Sequence, residues 1–204
     1  MRIVVFGASG RTGRQVVAQA VTRDHEVVAF VRDASKQWFP DPSTVHQGDP
    51  SDAGTVGAAL AGADAAISAL GPIAGQTTTE ISDATRSIVR AMESAGPHRL
   101  VIAANAEVFS DAEVTGTYAN VAAEHRRDAA ILSRSALDWT VVAAPLLTDD
   151  APTGPYVAVV DGKGPGSSIT RGDFATALLD AVENEAWIRH LVGVANPPVE
   201  RASA

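Results

Sequence analysis

The sequence predicts an α/β fold built on a doubly wound parallel sheet, and three observations carry that prediction. Short apolar runs alternate along the chain with longer stretches of helical spacing. The apolar runs are continuous instead of alternating apolar with polar, which is the pattern of strands covered on both faces. The first run passes through the glycine-spaced stretch "VVFGASGRTGRQVV" straight into a helical pattern, the strand–turn–helix opening expected of such a sheet.

Each element follows in order. Ile3–Phe6 is the first strand, and Val16, Val17, Ala20 and Val21 are spaced as the inner face of the helix after it. Val27–Val31 is the second apolar run; a loop with Pro40 and Pro42 leads to a short segment, Val45–Gly48. Ala53–Ala61 reads as a helix with Gly62 as its C-cap. Ala65–Leu70 is a strand ended by Gly71-Pro72. Ile81, Ala84, Thr85, Ile88, Val89 and Met92 share one face of a long helix that stops at Gly96-Pro97. Strand Leu100–Ala104, helix Ala119–Arg134 and strand Trp139–Ala143 complete the alternation, with Trp139 read as core. Beyond Pro145 the rhythm loosens: Tyr156–Val160 reads as a strand and Asp173–Val182 as a helix with Phe174, Ala177, Leu178, Ala181 and Val182 inward. Right-handed crossovers then give the doubly wound topology. Residues 1–204 form one domain, 146–204 including a small lobe on the substrate side, and "NPPVERASA" is an edge segment followed by a frayed tail.

Composition narrows the function. A chain of 204 residues is long enough for a substantial single core. Its net charge of -8 and pI near 5.0 lack the field of a nucleic-acid binder. With 0 cysteines there are no disulfides, thiolate metal sites or cysteine nucleophiles. No apolar run approaches the roughly 20 residues that span a bilayer, and Ile3–Phe6 is too short for a signal-peptide core. A soluble cytoplasmic protein is expected, with neither a membrane nor nucleic acid as partner. His25, His46, His98, His125 and His190 stand far apart, so no paired-histidine metal motif exists and no metal is expected.

The glycine turn is the candidate phosphate seat. Ligands of a doubly wound sheet sit beyond the C-terminal strand ends, and a helix N-terminus offers unpaired amides and the positive end of its dipole. Gly7, Gly10 and Gly13 follow G-x-x-G-x-x-G, not the common G-x-G-x-x-G spacing, and admit both close ligand approach and positive φ. The end of the second strand selects the dinucleotide: an acid bonds the ribose hydroxyl of NAD, an arginine the 2′-phosphate of NADP. "FVRD" supplies both, Arg32 and then Asp33, and Arg11 in the turn is a second candidate cation for that pocket. NADP is favoured over NAD; in the alternative, Arg32 is a solvated surface residue and Asp33 takes the ribose.

Together, "VVFGASGRTGRQVV", "VVAFVRD", "GDPSD", "AAISALG" and "RLVIAAN" resemble successive elements of the atypical short-chain dehydrogenase/reductases. "HRRDAAILSRSALDWTVVAAPLLTDDAPTGPY" is similar to their NAD(P)H-binding branch, which includes biliverdin reductase B (flavin reductase)-like and NmrA-like proteins; the match spans roughly residues 1–185. The resemblance implies a Rossmann-like domain in which Gly7, Ala8, Ser9, Gly10, Arg11 and Thr12 wrap the pyrophosphate and Arg32 meets the 2′-phosphate. Asp49 would lie beside the adenine, with Ala69, Leu70 and Gly71 along the adenosine half. Ala103, Ala104 and Asn105 would lie near the nicotinamide ribose, and Pro145, Leu146 and Leu147 beside the nicotinamide. His125 matches a histidine near the substrate pocket of flavin-reductase-like members. The family also leans towards a monomer or loose homodimer.

The chain departs from the larger superfamily in one decisive way. The Tyr-x-x-x-Lys pair, in which a lysine lowers the phenol pKa for proton transfer, is absent. The only lysines are Lys36 and Lys163, and Ala122 and Val160 stand four residues beyond Tyr118 and Tyr156. The usual serine after the fifth strand is also replaced, within "AANA". Alcohol and ketone chemistry and sugar-nucleotide epimerisation lose their acid–base pair. Conjugated acceptors such as a flavin, a quinone or a linear tetrapyrrole take hydride without a fixed acid. Leu147, Phe109, Val108, Trp38 and Tyr156 are candidate pocket walls. His125 and, in its place, Tyr118 are the candidate proton donors, although His125 also lies on the apolar stripe of its helix with Val121, Ala122, Ala129 and Leu132 and reads equally as core. Arg126 and Arg127 read as a solvated helix face beside Glu124 and Asp128. Residues 148–155 are a candidate lid. The expected function is an NADPH-dependent reductase of a small conjugated acceptor; the alternative is a non-catalytic NADP-binding redox sensor of the NmrA-like kind.

Overall fold

In the computed structural model, which describes residues 1–35 and 39–197, an eight-stranded sheet runs through the molecule. Its strands in chain order are β1 Arg2–Phe6, β2 Glu26–Val31, β3 Ser43–Gln47, β4 Ala65–Ser68, β5 Arg99–Asn105, β6 Asp138–Ala144, β8 Val157–Val160 and β10 His190–Ala195. Their spatial order is β3-β2-β1-β4-β5-β6-β10-β8, parallel except for β8, which lies antiparallel to β10 at one edge. Two further strands, β7 Leu146–Thr148 and β9 Ser168–Thr170, form a separate parallel ribbon. The region after Pro145 thus supplies this ribbon and also sends β8 and β10 back to the main sheet. Trp38 and Lys36, and the tail "NPPVERASA" from residue 198 on, lie outside the described residues.

Alternate residues of the buried strands feed two cores. Ile3 and Val5 of β1 point to one face, where helices α1 Arg11–Thr22 and α5 Arg171–Glu183 pack; Val4 and Phe6 point to the other, covered by α2 Ala53–Leu60, α3 Glu80–Ala95 and α4 Ala119–Leu132. This two-sided burial is the physical reason for the continuous apolar runs. The run of β10 was not legible in the sequence because Gly193 interrupts it and irregular backbone precedes it. Strands β7 and β9 are 3 residues each, too short for any period to register.

Tyr156 belongs to the first core and not to a pocket wall. Its hydroxyl donates to Asp180 Oδ2 at 2.7 Å, and Arg23, which caps α1, pairs with Asp180 Oδ1 at 2.7 Å. The C-terminal ends of α1 and α5 are thereby tied together at the sheet end opposite the glycine turn. Burial, followed by the neighbouring Asp180 carboxylate, drives the Tyr156 phenol well above its ordinary pKa, which removes it as a proton donor at neutral pH.

Strand order reverses at β1, whose neighbours are β2 and β4, and the crevice of a doubly wound sheet opens there. The close approach of α1 to β1 depends on Gly13: a Cβ at that position would lie 2.1 Å from the Gly7 carbonyl oxygen and 2.9 Å from the Ala8 Cα. Both neighbours are backbone and cannot rotate away. Gly13→Ala is expected to lower stability by about 2 kcal/mol or more through overpacking, read as a reduced urea midpoint with an unchanged m-value.

Candidate functional site

The glycine turn leaves a helix N-terminus open. Gly7 holds φ at +74°, and its carbonyl accepts from Gly10 N–H at 2.9 Å. Gly10 is the N-cap of α1, with no side chain capping the helix and no acidic residue in its first turn. Helical bonding begins at Arg14 N–H, which donates to the Gly10 carbonyl at 3.0 Å, so the amides of Arg11, Thr12 and Gly13 have no intrahelical partner. Uncapped amides, the dipole and a bend framed by Gly7, Gly10 and Gly13 form a seat that fits a diphosphate. Ala8 and Gly13 are buried beneath this seat and shape it; Ser9 and Gly10 face the opening.

A cleft of ≈ 390 Å³ runs from the turn across the end of β2 to the end of β4. Gly7, Ser9 and Gly10 of the expected pyrophosphate turn, Arg32, Asp49, and Ala69, Leu70 and Gly71 of the expected adenosine half all line it. Phe30, buried and stacked at 5.5 Å on the imidazole of His46, forms part of its floor. Arg32 is exposed on the rim and makes no hydrogen bond or ion pair with any described residue. Asp33 is turned away: its Oδ1 accepts from Ser35 N–H at 2.9 Å and from Ser35 Oγ at 2.7 Å, bonds that hold its carboxyl below the usual range. Asp49 is held the same way by Ser51, N–H at 2.8 Å and Oγ at 2.7 Å, and its carboxyl is likewise lowered, with the Arg32 charge adding a smaller pull.

The other half of the site lies at the ends of β5 and β6. Ala103 and Ala104 are buried, paired with Val142 and Ala143, while Asn105 Oδ1 accepts from Glu107 N–H at 2.7 Å and caps the 3-10 turn Ala106–Phe109. Pro145 and Leu147 are half-buried, and Leu147 packs onto the α1–α5 core instead of forming an open wall. Leu146 is 67% exposed, and Ile73 and Tyr118, from the loops after β4 and before α4, are 62% and 61% exposed. A hydrogen bond from Gly75 N–H to the Thr117 carbonyl at 2.9 Å ties the Ile73 and Tyr118 loops together. Val108 and Phe109 are part-buried against the second core.

Helix α4 is mostly a staple. Glu124 is fully buried; its Oε2 accepts from Ile81 N–H at 2.9 Å and Ser82 N–H at 3.0 Å, so it caps α3, and Oε1 accepts from Arg127 Nε at 2.7 Å. Burial raises the Glu124 pKa, but the Ser82 bonds and Arg127 outweigh it and leave the carboxyl below the usual range. Arg126 donates to the carbonyls of Glu107, Ser110 and Ala112 at 3.2, 2.7 and 2.9 Å. The reading of Arg126 and Arg127 as a solvated face is therefore corrected: both fasten the loops around the crevice. His125 is 6% exposed, with Nδ1 3.6 Å from Oδ2 of the fully buried Asp128. Neither His125 nor Tyr118 lines the cleft, and His125 occupies the buried face of α4.

Arg11 does not reach towards Arg32. Its Nη1 pairs with Asp149 Oδ2 at 2.8 Å, Arg171 Nε pairs with Asp149 Oδ1 at 2.5 Å, and Arg171 Nη1 lies 3.4 Å from Thr12 Oγ1. The candidate lid is thus tethered at Asp149. It is tethered again where Asp173, 1% exposed, accepts from Thr153 N–H at 2.9 Å, Thr153 Oγ1 at 2.9 Å and Gly154 N–H at 3.0 Å. Thr170 and Asn196 Nδ2 complete the Asp173 shell at 2.9 and 2.8 Å. Sequence reasoning missed Arg171, Asp149 and Asp173. One signal was present: Thr170 and Asp173 stand at the N-cap and three residues on, the spacing of a capping box. Among the described residues no cluster of three or more metal-ligating side chains occurs, and no helix is long and apolar enough to cross a membrane.

Comparison with known proteins places the chain in a family and a fold. Residues 7–185 match the family described as NAD(P)H-binding. The protein YwnB of Bacillus subtilis is 28% identical over 90% of this chain and 93% of its own length. Among solved structures, a short-chain dehydrogenase/reductase of the wide type from Veillonella parvula, in complex with NADP, superposes with a TM-score of 0.80 at 17% identity, covering 100% of this chain and 98% of that one. A candidate NADH-flavin reductase from Streptococcus pneumoniae gives 0.83 at 22% identity, covering 97% and 100%. These two likenesses establish the shared fold.

The tether at Asp173 has a pH signature. Burial opposes its ionisation, but the Thr153, Asn196 and Thr170 donors prevail and its pKa lies below the ordinary value. A depressed folded-state pKa contributes stability that is complete above the unfolded carboxylate pKa of about 4 and is lost as pH falls through the folded value. Asp173→Asn is expected to lower the urea midpoint at pH 7 and to flatten its decline in acid.

Proposed function

The chain belongs to the NAD(P)H-binding family, and on that premise we propose that it is an NADPH-dependent reductase that transfers a hydride to a small conjugated acceptor such as a flavin or quinone. The observation that carries the choice of NADPH is Arg32: a guanidinium on the cleft rim that makes no hydrogen bond or ion pair with a described residue, beside an Asp33 whose carboxylate is already engaged by Ser35. An unpaired arginine suits a 2′-phosphate; an occupied aspartate is poorly placed for a ribose hydroxyl. The NADP complex of the Veillonella parvula neighbour supports the same reading.

The mechanism follows from the parts. The amides of Arg11, Thr12 and Gly13 seat the diphosphate, Arg32 takes the 2′-phosphate, and Ala69–Gly71 flank the adenosine. Ala103, Ala104 and Asn105 give a small-residue shelf at the ends of the central strands, which admits a flat ring. When bound, the reduced nicotinamide supplies the hydride. Ile73 presents exposed apolar surface on the cleft, and the exposed Tyr118 and Leu146 are apolar groups available to a planar acceptor. With no Tyr-x-x-x-Lys pair, an acceptor that stabilises the added electron pair by conjugation takes its proton from solvent; His125, buried against Asp128, is given no part in the transfer. The candidate reductase from Streptococcus pneumoniae supports reductase chemistry on this fold. The protein acts in the cytoplasm as a monomer or loose homodimer.

The same missing pair and the burial of His125 favour a second reading, a non-catalytic redox sensor. Steady-state NADPH oxidation with FMN and with a quinone separates the two: saturable turnover supports the reductase. Equal affinity for NADP and NADPH with no turnover on any acceptor supports the sensor. Arg32→Ala is expected to weaken NADPH binding about 10- to 100-fold, the size of a lost charge-assisted phosphate contact, and to leave NADH binding unchanged, as measured by calorimetry.

A further inference from the structure

The ionic cluster beside the glycine turn is built unevenly. Arg171 has a side chain only 14% exposed and begins α5, whose first turn is locked by the Thr170–Asp173 box. Asp149, its partner, is 60% exposed and sits in a stretch, 149–152, whose hydrogen bonds and ion pairs with described residues are those of this one carboxylate. Two guanidiniums therefore converge on one carboxylate, next to Thr12 and the uncapped first turn of α1. The cluster carries two positive charges against one negative, at the positive end of a dipole, in a chain of net charge -8. The immobile partner is the arginine, and the replaceable one is the carboxylate.

We propose that Arg171, together with Arg11, binds the dinucleotide diphosphate, and that Asp149 is an internal stand-in anion that the diphosphate displaces. The proposal rests on the dinucleotide reading of the glycine turn. A diphosphate brings two charges and several acceptor oxygens to a pair of forked donors, where a carboxylate brings one charge and two oxygens. The Arg11–Asp149 contact is exposed on both sides and contributes little by itself, so its exchange is easy. Displacement also releases the side-chain anchor of 149–151, while Pro152 stays packed against Gly172 and residues 153–154 stay held by Asp173. The cofactor and the loop beside the nicotinamide position are thus coupled through the same two guanidiniums. Both NADP and NAD carry the diphosphate, so this contact serves the two alike, whereas Arg32 discriminates between them.

Calorimetry of the full chain with NADP and with NAD tests this. Asp149→Ala is expected to bind both about three- to tenfold more tightly, because the competing anion is gone. Arg171→Ala is expected to bind both about tenfold more weakly, with the NADP-to-NAD ratio unchanged, and Arg171→Lys to recover part of the loss; urea midpoints identify any variant that fails to fold, in which case the lysine variant carries the comparison. In the parent protein NADP is expected to speed limited proteolysis within 149–152, and Asp149→Ala to be cleaved at the faster rate without NADP. Unchanged or weaker binding by Asp149→Ala, or unchanged binding by Arg171→Ala, would overturn the proposal. Failure of the underlying reading looks different: the parent protein itself then gives no heat with either dinucleotide.

Discussion

One close contact organises the molecule: the first turn of α1 lies so near the end of β1 that Gly13 meets the carbonyl of Gly7 with no room for a methyl group. That approach, together with the positive φ of Gly7, aims an uncapped helix N-terminus at the place where the strand order reverses. The unpaired amides of the first turn are then exposed to the cleft instead of to a side chain. Everything else at the site is arranged around this seat: an arginine at the tip of β2, an Asx turn at Asp49, and the small residues closing β4.

Charge in this acidic protein is used locally. The carboxylates beside Arg32 are engaged by backbone amides and hydroxyls, Asp33 by Ser35 and Asp49 by Ser51. Arg32 makes no hydrogen bond or ion pair with a described residue. Arginines elsewhere serve as fasteners, because a planar guanidinium can satisfy several carbonyls at once: Arg126 gathers three from 107, 110 and 112. The loops that form the rim are thus held by polar contacts rooted in buried carboxylates, Glu124 for the start of α3 and Asp173 for the 153–154 turn. Such carboxylates remain charged while buried because each accepts several donors.

The mouth of the crevice has a different character. Ile73 lines the cleft and is exposed, and the Gly75–Thr117 hydrogen bond ties its loop to the one that carries the exposed Tyr118, while Leu146 of β7 is exposed after β6. Large exposed apolar groups gathered at a strand-end crevice are a feature of ligand surfaces more than of solvated loops.

Local periodicity in the sequence determined the fold class, the two-sided sheet and the first six parallel strands with their helices, and the glycine spacing marked the turn between β1 and α1. These depend on which residues stand in a strand–turn–helix unit, and such units are contiguous in the chain. The tertiary structure alone decided where the long side chains point. Arg11 turns to Asp149, 138 residues away, and Arg171 to Thr12, 159 residues away. Tyr156 turns from the expected pocket to Asp180, Leu147 to the core, and His125 inward against Asp128. No spacing rule reaches across such separations. A flexible charged or aromatic side chain settles on whichever partner the packed elements bring within reach, and the packing of α5 against α1 and of α4 against α3 brought those partners together.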